Sequence, residues 1–227
     1  DRSCMSVEDI LDFVNTMDIE DVRGIVERQI DYNYAIAMEG MENDWGANIG
    51  KVLIKTYGDD VRIRARAYAS AGSDARMSGC EMPVVIVSGS GNQGITASVP
   101  VIEYAKELGV DHDTLVRAVT LSDLLTIHMK TGIGRLSAFC GAVSAGCGAG
   151  AAIAYLNGGG LSDISHTLVN GLATVSGMIC DGAKPSCAAK ISAAVDAGIL
   201  GYEMFRNGQQ FRGGEGIVTK GVENTIV

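Results

Sequence analysis

Apolar positions recur at helical spacing along the first half of the chain. Ser6–Asp9 forms a capping-box pattern in front of apolar positions within 10–14, and Asp18 is placed to cap a second helix. The same spacing recurs over residues 45–57, and another helical run leads to Ala71. This half therefore predicts a series of amphipathic helices.

The second half predicts longer and more apolar helices. Only residues 83–87 have the pattern of an extended segment, and a buried connector would fit them equally well. We therefore predict a mainly α fold, a compact multi-helix domain with glycine-rich loops. The expected helices cover about 95–108, 113–130, 138–156, 161–179 and 186–205.

Small residues are concentrated in one of these helices. Gly141, Ala145, Gly148 and Ala152 follow each other at close helical spacing, which would let neighbouring helix backbones approach. The apolar stretch from Gly141 to Leu156 is about 16 residues long, short of the roughly 20 that cross a bilayer. It is interpreted as a tightly packed buried helix, and close packing is the structural explanation for most of the glycines.

Charge and composition narrow the classes of partner. The chain has 227 residues with 18 basic and 27 acidic side chains, a net charge of -9, which argues against binding nucleic acid or an anionic membrane. It opens with DRSCMS, without an initiator Met or a recognisable signal peptide, so we expect a piece of a longer protein. Six cysteines in such a chain favour thiols, metal ligands or redox chemistry, and a cytoplasmic location.

A glycine-rich stretch, SGSGNQG at 88–94, precedes a predicted helix. Its backbone N–H groups and the helix dipole would suit a carboxylate or phosphate. It matches neither the Walker A motif nor a GxGxxG motif in a βαβ unit. The structural alternative is a tight turn with capping serines, whereas Asn92 and Gln93 favour binding of a small polar molecule.

Three cysteines have a spacing that could serve a cluster. Cys140 precedes the small-residue helix, whereas Cys180 and Cys187 flank a loop that contains Pro185. Three thiolates could hold an iron–sulfur cluster with one iron open, although buried structural cysteines are the alternative. We assign Cys4, Cys80 and Cys147 to that structural class.

Three ordered stretches carry a family resemblance. SGSGNQGITASVP, SAFCGAVSAGCGAGAAIAYLNGG and GMICDGAKPSC together resemble the α region of bacterial iron–sulfur L-serine dehydratases, and more closely the related L-cysteine desulfidase-like family. The resemblance extends from about Gly40 to the end of the chain. It implies one serine dehydratase α-chain-like domain over 1–227, a C-terminal fragment of a longer protein.

The resemblance also implies a site. It places a [4Fe-4S] cluster on Cys140, Cys180 and Cys187, and it implies no pyridoxal phosphate. The matching glycine-rich loop implies that substrate is bound by Ser88, Gly89, Ser90, Gly91, Asn92 and Gln93. Two departures stand out: the dehydratases have a histidine where this chain has Leu172–Val175, and desulfidase-like proteins have an N-terminal cysteine, a proposed ligand, in a segment that this chain lacks.

Charged side chains near these motifs are the catalytic candidates. Lys184 lies between two of the cysteines, Arg135 precedes Cys140, and His128 lies in a predicted helix nearby. Each also has a structural interpretation, as a solvated loop residue, an ion-pair partner or a helix residue. Asp74 and Arg76 are expected either to line the pocket or to pair with each other.

The resulting prediction is an iron–sulfur amino-acid lyase. An open iron would act as a Lewis acid while a base removes the α-proton, and β-elimination from L-cysteine would give pyruvate, ammonia and sulfide. The alternatives are L-serine as the substrate, or a small-carboxylate binding module without a cluster. The expected partners are a small amino acid and the absent N-terminal segment, with a homo-oligomer left open.

Overall fold

The computed structural model describes residues 2, 4–134 and 137–226. In this part of the chain there are ten helices and no strands, which confirms the prediction of a mainly α domain. The helices are α1 Val7–Thr16, α2 Glu20–Glu42, α3 Ile49–Tyr57, α4 Val61–Met77, α5 Gly91–Leu108, α6 His112–Ile133, α7 Gly141–Leu156, α8 Leu161–Val175, α9 Cys187–Arg206 and α10 Val222–Ile226.

Short polar side chains determine where several helices begin. Ser6 Oγ accepts a hydrogen bond from the backbone N–H of Asp9 at 3.1 Å, as the capping pattern predicts. Asp60 and Asp111 cap α4 and α6 in the same way. Ser90 caps α5, so that helix begins at Gly91 rather than near residue 95. The glycine-rich stretch is therefore a turn followed by the first turn of a helix.

The extended segment at 83–87 is a connector, because no strand pairs with it in the described residues. Its partner is a buried side chain of α2. Asn33 Oδ1 accepts from Val85 N at 2.8 Å, and Asn33 Nδ2 donates to Val85 O at 3.1 Å. One amide thus makes both hydrogen bonds that a neighbouring strand would otherwise make, which satisfies the backbone of Val85 in a connector that is only partly buried.

Helix α7 lies at the centre of the second half and packs against α5, α6, α8 and α9. Its glycines make this possible. A Cβ atom built on Gly146 would lie 2.5 Å from the carbonyl oxygen of Ala194, and one on Gly150 would lie 2.5 Å from that of Gly198. On another face, a Cβ on Gly148 would lie 2.6 Å from Thr126 Oγ1 of α6. The stripe of small residues therefore serves close backbone approach.

Two helix ends differ from prediction for a shared reason. Helix α7 begins at Gly141 rather than 138, and α8 ends at Val175 rather than 179. The residues left out of the helices form an antiparallel bridge between Phe139 and Ile179. Separately, none of the helices in the described residues is long and apolar enough to span a membrane.

We predict that Gly150→Ala lowers the free energy of unfolding by about 1–3 kcal/mol, since the added methyl group would meet the backbone of α9. Urea denaturation measures the effect. Gly24→Ala is the matched control, because Gly24 lies in α2 with no atom within 4 Å of the built Cβ. It should be neutral or stabilising by up to about 1 kcal/mol. Equal effects of the two substitutions would contradict the packing account.

We also predict a pH-dependent contribution from Asp123. Its carboxylate accepts a hydrogen bond from Gln29 Nε2 at 2.9 Å, but burial outweighs this and raises its pKa to about 7. Between about pH 4 and 7 the folded chain then binds more protons at this position than the unfolded chain. The free energy of unfolding therefore falls as pH rises, by at most about 1.4 kcal/mol per pH unit.

The substitution Asp123→Asn removes this titration. Its stability relative to the unsubstituted chain should rise from pH 5 to pH 7 and level off above, as measured by urea denaturation. Asp12→Asn, on the exposed side of α1, is the control and should show no such trend. A constant difference between Asp123→Asn and the unsubstituted chain at every pH would contradict the prediction.

Candidate active site

Three helices begin at one cavity of about 290 Å³. Ser90 is the N-cap of α5, Cys140 is the N-cap of α7, and Cys187 is the first residue of α9. All three line this cavity, which we call the thiol pocket. Helix N-termini carry partial positive charge, so they favour anions and thiolates nearby. The pocket is thus suited to thiolates and to a ligand with an anionic group.

The third cysteine, Cys180, is held at the pocket by a short backbone bridge. Cys140 N donates to Met178 O at 3.0 Å, and Cys180 N donates to Ala138 O at 2.7 Å. These two bonds hold segments next to each other that are 40 residues apart in sequence, since 180 − 140 = 40. Cys140, Cys180 and Cys187 therefore line one cavity.

A tight turn places the glycine-rich stretch at the pocket. Val87 and Ser90 exchange two backbone hydrogen bonds, of 3.2 and 3.1 Å. Between them, Ser88 has φ 48° and Gly89 has φ 87°, the signs required by a type I′ turn. The turn leads directly into α5, where no backbone hydrogen bond in the described residues uses the N–H of Gly91. Free N–H groups at a helix start are available to an anion.

The glycines after the turn permit close contacts. A Cβ on Gly94 would lie 2.0 Å from the carbonyl oxygen of Val85, so only glycine lets α5 begin against the connector. A Cβ on Gly91 would lie 2.4 Å from Arg76 Nε. Glycine at 91 therefore leaves room for the Arg76 guanidinium, which lines the thiol pocket.

The side-chain amides of Asn92 and Gln93 both line the pocket, but they differ in their hydrogen bonding. Asn92 Oδ1 accepts a hydrogen bond from Arg76 Nη1 at 3.2 Å. Gln93 is only 9% exposed, and its Oε1 is buried without a hydrogen-bond partner in the described residues. Its amide lies against Gly141, where a built Cβ would be 2.4 Å from Nε2. An unsatisfied buried amide costs about 1–3 kcal/mol, so this side chain is suited to binding a ligand.

Only some of the residues predicted to bind substrate or to act in catalysis line the thiol pocket. Of the six loop residues, Gly89, Ser90, Asn92 and Gln93 line the pocket, and Ser88 and Gly91 do not. Arg135 lies outside the described residues.

The two other predicted catalytic side chains make ion pairs away from the pocket lining. Lys184 is exposed, with Nζ 4.0 Å from Asp181 Oδ2. His128 Nε2 lies 2.8 Å from Glu223 Oε2 of α10. Neither residue lines the thiol pocket. Their catalytic roles stay predictions.

Asp74 and Arg76 do not pair with each other, so the expectation of an ion pair between them is wrong. Asp74 is buried and accepts backbone hydrogen bonds from Ala47 at 3.3 Å and Ile49 at 2.8 Å. It holds the start of α3, and only Arg76 lines the pocket. Asp74 therefore has a structural role, whereas Arg76 is a residue of the pocket.

Sequence reasoning missed Lys130, a buried lysine in the last turn of α6 that lines the pocket. A signal was present, because Ser122, Thr126 and Lys130 follow each other at a spacing of four residues and share one helix face. The first two are buried. A lysine in line with them is therefore expected to point inward.

The thiols are the kind of ligand that an iron–sulfur cluster uses, and all three line one cavity. Burial raises the pKa of Cys140, and the nearby thiolates of Cys180 and Cys187 raise it further, so the three sulfurs interact electrostatically. Among the described residues no three His, Cys, Asp or Glu side chains are already gathered around a single ion. In a cluster, each thiolate binds a different iron, so that gathering is not required.

The chain is a helical domain with a thiol-lined pocket whose charged lining residues, Arg76 and Lys130, are both cations. The chain belongs to the serine dehydratase alpha chain family, which it matches over residues 5–227. It is 66% identical over 226 residues to a UPF0597 protein of Desulfitobacterium hafniense, and 56% identical over 226 residues to one of Lachnoclostridium phytofermentans. Each match covers all of this chain, but only 53% and 54% of those relatives. The chain thus spans about half of their length. No solved structure matches it.

We predict that Gly141→Ala weakens binding of a small amino acid such as L-serine by about 3- to 10-fold, the value of one neutral hydrogen bond. The methyl group would displace the Gln93 amide, which can move because it is the end of a flexible side chain. Isothermal titration calorimetry measures the affinity. Gly177→Ala, with open space around the built Cβ, is the control. Unchanged affinity in Gly141→Ala would contradict a role for Gln93.

Proposed function

We propose that this chain forms the catalytic pocket of an iron–sulfur amino-acid lyase that acts on L-cysteine. The observation that carries the proposal is that three thiols from two distant segments and the glycine-rich start of α5 line one cavity. Membership of the serine dehydratase alpha chain family supports a related lyase function. The cluster and the preference for cysteine are our inferences beyond that membership.

In this proposal Cys140, Cys180 and Cys187 hold a [4Fe-4S] cluster. When bound, a cluster with one open iron supplies a Lewis acid that stabilises developing negative charge. The chain's own contribution is to place the three thiols in one cavity and to orient the substrate. The N-terminus of α7 favours the thiolate form of Cys140, which opposes the effect of burial on the pKa of that thiol.

The substrate would be oriented by the polar side of the pocket. The N–H groups at the start of α5 suit its carboxylate, and the unpartnered Gln93 amide suits its polar groups. In the reaction, a base removes the α-proton, the Cβ–S bond breaks, and its electron pair leaves with sulfide. The resulting aminoacrylate takes up water and gives pyruvate and ammonia. Sulfide leaves more readily than hydroxide, which favours L-cysteine over L-serine.

Of the predicted catalytic residues, Lys184 is retained as a charge that could offset the substrate carboxylate, since it follows Cys180 by four residues, 184 − 180 = 4. His128 and Arg135 remain candidates from their positions in the sequence near Cys140. The remainder of the polypeptide, which in the relatives nearly doubles the length, is the proposed partner and source of a further cluster ligand. A cytoplasmic location fits an oxygen-sensitive cluster.

A second candidate is a small-carboxylate binding module without a cluster. One observation favours it: no group of three His, Cys, Asp or Glu side chains in the described residues is placed to hold a metal ion. Such a module would bind L-serine or L-cysteine without turnover. Iron content distinguishes the two functions.

We predict that anaerobic reconstitution yields about four irons and four acid-labile sulfides per chain. Cys180→Ala should lose most of this iron and the release of sulfide from L-cysteine, because it removes one ligand. Cys80→Ala, a cysteine that does not line the pocket, is the matched control and should retain both. Iron assays and a sulfide assay measure the result, with L-serine as the competing substrate.

The outcomes separate the candidates. An iron-free chain that still binds L-serine, together with an iron-free full-length protein, would contradict the cluster and support the binding module. Equal iron loss in Cys180→Ala and Cys80→Ala would mean that the thiol pocket is not the cluster site.

A further inference from the structure

Lys130 is a buried cation without an anionic partner in the described part of the chain. The residue is 5% exposed, and neither a hydrogen bond nor an ion pair involves its ammonium there; the ammonium is not among the fully buried unpartnered atoms, which fits its position at a cavity. Burying an ammonium without a counter-charge is unfavourable. Native proteins retain such groups mainly where a ligand supplies the missing charge.

The packing of α6 against α7 directs this lysine to the pocket. Ser122 and Thr126 lie on the same face of α6 as Lys130 and contact Gly148 of α7, whose built Cβ would meet both. One turn further along α6, Lys130 reaches the start of α7, where it lines the thiol pocket together with Cys140. The close helix contact therefore fixes the stem of the lysine and leaves its ammonium at the cavity.

All charged side chains in the described lining of the thiol pocket are positive. Arg76 and Lys130 are its cations, and it contains no aspartate or glutamate, although the whole chain has a net charge of -9. Arg76 already donates to Asn92 Oδ1 at 3.2 Å. Arg76 thus uses one of its donors within the pocket, whereas none of the ammonium donors of Lys130 is used in the described residues, and a ligand with an anionic group would satisfy them.

We propose that Lys130 binds the α-carboxylate of the substrate and makes the pocket selective for α-amino acids with a free carboxylate. This inference rests on the proposed lyase function and adds a binding residue to it. Lys130 forms a charge-assisted hydrogen bond to the carboxylate, which the N–H groups at the start of α5 also suit, while the unpartnered Gln93 Oε1 accepts from the substrate ammonium.

The test compares two ligands that differ only at the carboxylate. L-Serine and L-serinamide share the amino group and the hydroxyl, but serinamide lacks the negative charge. Calorimetric titration of the 227-residue chain should show tighter binding of L-serine. Lys130→Met, which keeps the aliphatic stem, should weaken L-serine by about 10-fold or more and change serinamide less than about 2-fold.

Three controls make the result specific. Lys130→Arg keeps the charge and should keep much of the preference for L-serine. Lys55→Gln, an exposed lysine on α3, should change neither affinity. The melting temperature of Lys130→Met should be unchanged or higher, because an unpaired buried charge is removed; a structural lysine would give a lower value.

The outcomes also separate this inference from the proposed function. Iron content after reconstitution should be unchanged in Lys130→Met, so loss of carboxylate selectivity with retained iron supports Lys130 as the carboxylate-binding residue. Equal weakening of both ligands, no weakening of either, or no binding of L-serine by the unsubstituted chain would overturn it. Absence of iron in every variant, and in the full-length protein as well, would contradict the cluster alone.

Discussion

The close approach of the α7 backbone to its neighbours is the constraint on which the site depends. Gly146 and Gly150 contact the backbone of α9, and Gly148 contacts α6. Because these contacts leave no room for a Cβ atom, α7 has one position relative to both helices. Its first residues, including the N-cap Cys140, are placed by the same contacts beside the start of α9 and the end of α6. The pocket is thus a consequence of helix packing.

The pocket combines two kinds of chemistry. Helix N-termini and two cations create a positive environment in an acidic chain, whereas burial disfavours ionisation of Cys140 and raises its pKa. The first effect suits a carboxylate and thiolate ligands, and the second keeps an empty site protonated. Metal binding would release those protons, so cluster assembly and substrate binding would both depend on the same local charges.

The helices, the cap at Ser6 and the packing role of small residues could be predicted from the sequence, because helical spacing and capping are local patterns. The start of α5 at Gly91 could not, since two glycines near a helix start argue against a helix there, and the contacts of Asn33 with Val85 come from a distant element. The bridge that brings Cys180 to Cys140 is equally non-local. The pocket role of Lys130 depends on which face of α6 is covered, and composition does not reveal that.

The central claim is that the glycine-rich start of α5 and the three thiols form one amino-acid site. Alkylation of the iron-free chain by iodoacetamide under anaerobic conditions, followed by mass spectrometry, tests it at each cysteine. Cys180 is exposed and Cys187 partly exposed at the pocket, whereas Cys80 is partly exposed outside it. The account predicts that saturating L-serine slows alkylation of Cys180 and Cys187 and leaves Cys80 unchanged. Binding of L-serine without protection of either pocket cysteine would contradict it.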